Sequence, residues 1–142
     1  MTLASFDASA LVKLVIDEHG SGDVAMVWDG ADAVVTSRVA HPEYLAALAA
    51  AHRDRRLGDT DHDAAKRDWA SFNEALRILE LTEELEDAAG RLAEAHALNG
   101  FDTIHLASAL TLADGPLIVA TWGGRLLRAA RTFGLGTIPT GT

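Results

Sequence analysis

Short apolar segments alternate along the chain with longer segments whose apolar residues recur at helical spacing. The short segments are continuous runs rich in Ala, Val, Ile and Leu, without regular alternation with polar residues. We predict strands over residues 3–6, 31–37, 78–81, 116–121 and 137–138. The longer segments predict helices over residues 10–18, 21–29, 38–57, 59–76, 82–98, 102–112 and 125–133.

The order of these elements indicates the fold class. Continuous apolar strands separated by helices are typical of a parallel sheet that is covered on both faces. We therefore predict an α/β protein, a three-layer α/β/α fold with a central parallel sheet, in which residues 1–142 form a single domain. In such sheets the functional crevice lies at the carboxyl ends of the strands. Polar residues at those ends are the first candidates for chemistry.

Three carboxylates fall at predicted helix starts along that edge. Asp7 directly follows the first strand, Glu43 lies early in the helix after the second strand, and Asp102 begins a largely apolar helix. Each has a simple structural explanation by itself: Asp7 and Asp102 as helix caps, and Glu43 as an exposed acid favoured by the helix dipole. Their common placement favours a shared site, because carboxylate oxygens are the ligands that Mg²⁺ and Mn²⁺ prefer. A metal held there would suit phosphodiester hydrolysis.

Other polar residues near that edge allow two interpretations each. His105 follows Asp102 by three residues, a spacing that could bind metal, but we favour a partly buried histidine that is hydrogen-bonded to the backbone. Arg125, Arg128 and Arg131 recur at a spacing of three on the predicted last helix and are either a solvated helix face or contacts to phosphate groups. Arg125 follows the fourth strand closely, near the crevice.

Composition and charge limit the classes of function. The chain has no cysteine, so thiolate chemistry is excluded, any metal must have oxygen or imidazole ligands, and a reducing cytoplasm is expected. The formal net charge of −9 argues against a broad basic surface for nucleic acid, although a cluster of metal-binding acids contributes to that count. The N-terminus lacks the features of a signal peptide, and charges interrupt every apolar stretch before it could span a bilayer. We therefore expect a soluble cytoplasmic protein without a membrane partner.

Four blocks of the sequence resemble the PIN domain, and in particular the VapC-type toxins. FDASALVKLVIDE resembles the opening block, SRVAHPEYLAAL the second, GFDTIHLASAL the third and VATWGGRLLRAARTFGL the closing block. The four blocks occur in the family's order and span nearly the whole chain, so together they are far more specific than any one of them.

The resemblance implies a function and a set of site residues. It implies an endoribonuclease that depends on Mg²⁺ or Mn²⁺, with Asp7, Glu43 and Asp102 as the metal-binding and catalytic acids. Ser37 and Thr121, at the ends of the second and fourth strands, are then candidates for hydroxyl groups that support those acids. The resemblance also implies an RNA substrate, a small antitoxin partner and a homodimer.

The closing block departs from the family pattern. The family commonly has Thr-x-Asp there, whereas this chain reads Thr121–Trp122–Gly123 and so lacks the fourth acid. Asp114 precedes the fourth strand, at its wrong end, and is a poor substitute. Two hypotheses follow: a toxin-like ribonuclease with a three-carboxylate site, or a catalytically weak or inactive module that binds an antitoxin or RNA. DNA cleavage is a third, less favoured hypothesis.

Overall fold

A five-stranded parallel sheet forms the centre of the computed structural model, which describes residues 1–140. The spatial order is β3-β2-β1-β4-β5, and every neighbouring pair is parallel. The strands are β1 (Leu3–Phe6), β2 (Ala33–Ser37), β3 (Leu76–Leu79), β4 (Leu117–Ala120) and β5 (Gly136–Ile138). The chain order reverses beside β1, which places the carboxyl ends of β1, β2 and β4 next to one another.

Helices cover both faces of this sheet. They are α1 (Ala8–Val12), α2 (Ser21–Gly30), α3 (Ala40–Arg53), α4 (Asp59–Ala75), α5 (Glu83–Ala95), α6 (Gly100–Leu110) and α7 (Gly124–Thr132). The first four contribute to one apolar cluster, and the last three contribute to clusters on the opposite side. The predicted three-layer α/β/α fold with a central parallel sheet is therefore confirmed. Among the helices of residues 1–140, none combines the length and apolar character needed to cross a bilayer.

Successive side chains along each strand point to opposite faces of the sheet, and so toward one or the other layer of helices. In β1, Ala4 and Phe6 pack against the cluster of α1–α4, whereas Leu3 packs with Leu117 and Val119 against α6 and α7. Phe6 is fully buried, which stabilises the fold by about 1.5–3 kcal/mol relative to an exposed ring. The strand before Asp7 is thus fixed from both faces.

Some predicted boundaries were wrong. β3 occupies residues 76–79 rather than 78–81, because Leu76 is buried and pairs with Val34 whereas Leu81 is 44% exposed. The first helix was predicted to run to residue 18 but ends at Val12. The Lys13 ammonium there donates to Glu18 Oε1 at 2.9 Å and to the His19 carbonyl at 2.7 Å, which closes the chain into a loop.

The C-terminus of α3 contains a strained residue. Arg55 has φ 61, a left-handed conformation, and its amide donates to the His52 carbonyl while the Arg56 amide donates to that of Ala51. These two bonds form the C-terminal motif that normally has glycine at the left-handed position. An arginine there costs about 1–2 kcal/mol in backbone energy.

We expect Arg55→Gly to raise the free energy of unfolding by about 0.5–1 kcal/mol, because relief of this strain exceeds the extra entropy of glycine in the unfolded chain. Urea denaturation measures the change. Arg53→Gly, a matched substitution within the last turn of α3, should lower stability by about 0.5–1 kcal/mol. A destabilising effect of both substitutions would contradict this account of Arg55.

Candidate active site

Asp7 is the best-supported carboxylate at the sheet edge. It is only 9% exposed and is the N-cap of α1: its Oδ1 accepts from the Ala10 amide at 3.1 Å and from Ser9 Oγ at 2.6 Å. Its Oδ2 accepts from Thr121 Oγ1 at 2.5 Å. The cap interpretation of Asp7 is therefore correct but incomplete, because a cap requires only one of these three hydrogen bonds. They hold both carboxylate oxygens in place at the end of β1.

The hydroxyl groups of Ser9 and Thr121, which donate to Asp7, also connect it to the segment after β4. Thr121 Oγ1 accepts from the Gly123 amide at 3.0 Å, and Ser9 Oγ accepts from the Trp122 amide at 2.9 Å. The structure therefore places Thr121 against Asp7. The sequence analysis overlooked this role of Ser9, although its position two residues after Asp7 was a usable signal.

Ser37 lies at the end of β2 and is buried. Its hydroxyl oxygen accepts from the Val39 amide at 3.2 Å, in the turn that leads into α3. Ser37 thereby supports the backbone that carries Glu43, rather than contacting a carboxylate itself.

Glu43 and His105 form a pair across the crevice. Glu43 Oε1 lies 2.6 Å from His105 Nε2, with side chains 24% and 5% exposed respectively. The predicted backbone partner for His105 was therefore wrong: its partner is a carboxylate that is 62 residues away in the chain. Sequence spacing predicts that His105 lies on a helix, but it does not predict that α3 packs opposite that helix and brings Glu43 to His105.

Asp102 lies in the first turn of α6 but does not cap it. The cap is Asn99, whose Oδ1 accepts from the Asp102 amide at 2.8 Å, so α6 begins two residues earlier than predicted. The cap explanation for Asp102 is thereby removed. Within residues 1–140 its carboxylate receives no hydrogen bond, which leaves its oxygens available to a ligand.

The electrostatics show that the three acids share one neighbourhood. Burial raises the pKa of Asp102 above its ordinary value of 3.8, and the negative charges of Asp7 and Glu43 raise it further, against the smaller influence of His105 and Arg125. The raised pKa of Asp102 therefore reflects chiefly its burial, with a further contribution from the neighbouring acids. The acids at the ends of β1, α3 and α6 thus act on one another electrostatically.

A hard divalent cation fits this neighbourhood in charge and donor type. The residues offer carboxylate oxygens, and a cation would offset the repulsion from Asp7 and Glu43 that adds to the effect of burial on the pKa of Asp102. In the part of the chain that the structure describes, no three Asp, Glu or His side chains converge closely enough to enclose a metal ion. A bound metal ion would therefore require these side chains to approach one another, and the carboxylate of Asp102 has no hydrogen bond within residues 1–140 that would oppose this.

The position of the missing fourth acid has room for a Cβ atom. A Cβ atom added at Gly123 would lie 3.4 Å from Thr121 Oγ1 and 3.9 Å from Leu126 Cβ, and the φ of −73 suits any residue. Packing therefore does not require glycine at this position. Arg125 follows on the first turn of α7, exposed and close enough to lower the pKa of Asp102 slightly.

His105 makes the stability of the metal-free protein depend on pH. Burial of the ring opposes protonation, but the hydrogen bond to Glu43 and the charges of Asp7, Glu43 and Asp102 outweigh it, so the pKa of His105 is raised above 6.5. Because the folded pKa exceeds the unfolded one, this stabilisation is fully present below about pH 6.5 and is lost as pH rises through the folded value.

We therefore expect the urea midpoint, measured in EDTA, to fall from about pH 6.5 upward. Glu43→Gln removes the charged partner and should flatten this part of the profile. If the wild-type and Glu43→Gln profiles had the same slope, the raised pKa would not arise from Glu43.

The sequence and the fold both have relatives among known proteins. The sequence model of the PIN domain matches residues 5–130. The chain is 49% identical over 139 residues to "Ribonuclease VapC45" of Mycobacterium tuberculosis (strain CDC 1551 / Oshkosh), covering 98% of this chain and 96% of the relative. It is 30% identical over 138 residues to "Ribonuclease VapC46" of strain ATCC 25618 / H37Rv, covering 97% and 98%.

Solved structures are similar in fold. Mycobacterium tuberculosis VapC20, described as a sarcin-ricin loop cleaving toxin, has a TM-score of 0.66 at 20% identity, covering 89% of this chain and 94% of that one. The VapBC2 complex of Rickettsia felis has a TM-score of 0.64 at 9% identity, with coverage of 95% and 96%. Sequence and fold agree on one conclusion: the chain belongs to the PIN domain family, within its VapC-type branch.

Proposed function

We propose that this protein is an endoribonuclease that depends on Mg²⁺ or Mn²⁺ and serves as the toxin of a toxin–antitoxin pair. The observation that carries the proposal is the grouping of Asp7, Glu43 and Asp102 in one negative neighbourhood at the carboxyl edge of the sheet. The relatives named as ribonucleases at 49% and 30% identity support RNA as the substrate.

In this proposal each acid has its own task. Asp7 and Asp102 hold the metal, and Ser9 and Thr121 fix the direction of Asp7 through their hydrogen bonds. A bound divalent metal lowers the pKa of a water molecule and offsets charge on the scissile phosphate. Glu43 binds the metal or orients the attacking water, while its pairing with His105 keeps the carboxylate facing the crevice.

The proposal extends to partners and location. Solved structures of similar fold include a toxin–antitoxin complex from Klebsiella pneumoniae and FitAB bound to a DNA fragment. We propose by analogy a small antitoxin partner and a homodimer for this chain. The absence of cysteine from the sequence is compatible with action in the reducing cytoplasm.

The direct test is incubation of the purified protein with total RNA in Mg²⁺, in Mn²⁺ and in EDTA. We expect discrete fragments in either metal and none in EDTA. In-line attack by water should leave 5′-phosphate and 3′-hydroxyl ends, which ligation-dependent sequencing can identify. Cleavage that persists in EDTA would overturn the metal role, and 2′,3′-cyclic phosphate ends would overturn attack by water.

One observation favours a second candidate function, an inactive module that binds an antitoxin or RNA. Gly123 leaves the site one carboxylate short although the structure has room for a Cβ atom at this position. Gly123→Asp tests it: if the wild type is inert on all RNAs in Mn²⁺ and Gly123→Asp cleaves, the natural chain is a binding module. Cleavage by the wild type excludes that function.

A further inference from the structure

A small cationic pocket lies between α7 and the loop after α5. It has a volume of 190 Å³, and its polar lining comes from Arg125, Arg128, His96 and Thr132. The sequence analysis named both arginines as possible phosphate contacts on one helix face. The structure adds that their guanidinium groups, one helical turn apart, line the same pocket.

Among the described residues, the two arginines of the pocket are not neutralised by an ion pair, although the chain is acidic overall. The chain has a net charge of −9, with 21 acidic residues against 12 basic ones. Some other cations are paired, for example Arg38 with Glu80 and Lys66 with Asp63, whereas others, such as Arg67, are not. Within residues 1–140, neither Arg125 nor Arg128 has a carboxylate at ion-pair distance. Two adjacent like charges repel each other, so an anion that bound between them would be stabilised.

The guanidinium of Arg128 reaches back toward the crevice. A Cβ atom added at Gly124 would lie 3.3 Å from Arg128 Nη1, so this group covers the first turn of α7. Arg125 lies in that same turn and lowers the pKa of Asp102. Both positive groups are therefore near the end of β4, on the side of the proposed metal site.

We infer that this pocket binds a backbone phosphate of the RNA substrate, next to the phosphate that is cleaved. The inference rests on the proposed function and deepens it. Arginine offers a planar set of donors that matches phosphate oxygens, and Thr132 and His96 add polar groups at the rim. The volume is below the roughly 300 Å³ at which sites for whole small molecules begin, so it suits one phosphate group rather than a nucleotide.

The test measures binding separately from cleavage. A fluorescein-labelled 12-nucleotide oligouridylate is titrated at several salt concentrations with protein carrying Asp102→Asn, which prevents turnover. Arg125→Gln and Arg128→Gln should each weaken binding about tenfold at low salt. Each substitution should also reduce the slope of log Kd against log salt concentration by about 0.7, and the double variant should reduce it by about 1.4.

Two control variants separate position from charge. Arg67→Gln, an exposed arginine on α4, should leave both affinity and slope unchanged. Arg128→Lys should retain most of the salt slope, because the charge remains. Equal slopes for wild type, Arg125→Gln and Arg128→Gln would overturn the inference, and so would equal losses in Arg67→Gln.

Two further outcomes show whether the pocket binds RNA or an acidic protein segment, and whether the binding pocket and the enzymatic activity stand or fall separately. If the arginine variants bound the oligouridylate normally but lost binding of a labelled ten-residue polyglutamate, the pocket would recognise an acidic protein segment and the RNA inference would fail. If the arginine variants lost RNA binding while wild-type protein cleaved no RNA in Mn²⁺, the pocket would stand and the proposed enzymatic function would fail.

Discussion

Asp102→Asn is expected to lower kcat for RNA cleavage by about 10³-fold or more, while the protein remains folded. The reason is the loss of one carboxylate of the proposed metal site, and with it several kcal/mol of transition-state stabilisation; about 4 kcal/mol corresponds to 10³-fold. Asp102 makes no side-chain hydrogen bond within residues 1–140 that the substitution would break. The rate of fragment formation from a defined RNA in Mn²⁺, compared with wild type, measures the effect.

The same substitution should stabilise the metal-free protein. Since the pKa of Asp102 is raised in the folded state, ionised Asp102 destabilises the fold above that pKa, and asparagine removes this charge. The melting temperature in EDTA at pH 7 should therefore rise in Asp102→Asn and remain unchanged in Asp87→Asn, an exposed control on α5. An unstable Asp102→Asn protein would show that this acid is structural, and the loss of activity would then need another explanation.

Thr121→Val is expected to weaken Mn²⁺ binding by about 10- to 100-fold without removing any proposed ligand. Thr121 is fully buried, and its hydroxyl donates to Asp7 Oδ2 while it accepts from the Gly123 amide. Valine has nearly the same shape but offers neither interaction, so Asp7 loses one of the bonds that fix its direction. Calorimetric titration of Mn²⁺ measures the change, and Thr121→Ser should restore most of the affinity.

The matched control is Thr36→Val. Thr36 is also buried, but its hydroxyl donates to the Phe6 carbonyl at 2.7 Å rather than to a carboxylate. Both valine variants leave a buried polar group unpaired and should lose about 1–3 kcal/mol of stability. Only Thr121→Val should lose metal affinity. Equal affinities in the two variants would mean that Thr121 supports the fold alone.

The sheet and its functional edge could be predicted from the sequence because strand hydrophobicity is a local property. Continuous apolar runs identified β1, β2 and β4, and the polar residues directly after them lie where parallel strands place them. β3 was misplaced by two residues, because the apolar run continues into exposed residues after the strand and only pairing with β2 defines where the strand lies. Short edge strands carry little periodic signal of their own.

The site was less predictable because its contacts join distant parts of the chain. Local spacing found the candidate acids and suggested caps, yet only the assembled fold shows that Asn99 caps α6 and leaves Asp102 free. The pairing of Glu43 with His105 depends on the approach of α3 to α6, which no local pattern encodes. The arginine pocket likewise depends on the packing of α7 against the loop after α5, which brings His96 beside Arg125 and Arg128.

The bond between Thr121 and Asp7 joins residues that are 114 positions apart. A ribosome makes Asp7 well before Thr121 and the strand that precedes it. β1 lies at the centre of the sheet and cannot pair with β4 until that later segment has emerged. A nascent chain that ends before Thr121 therefore cannot assemble this carboxylate geometry. In the ribonuclease that we propose, such partial chains would leave cellular RNA intact.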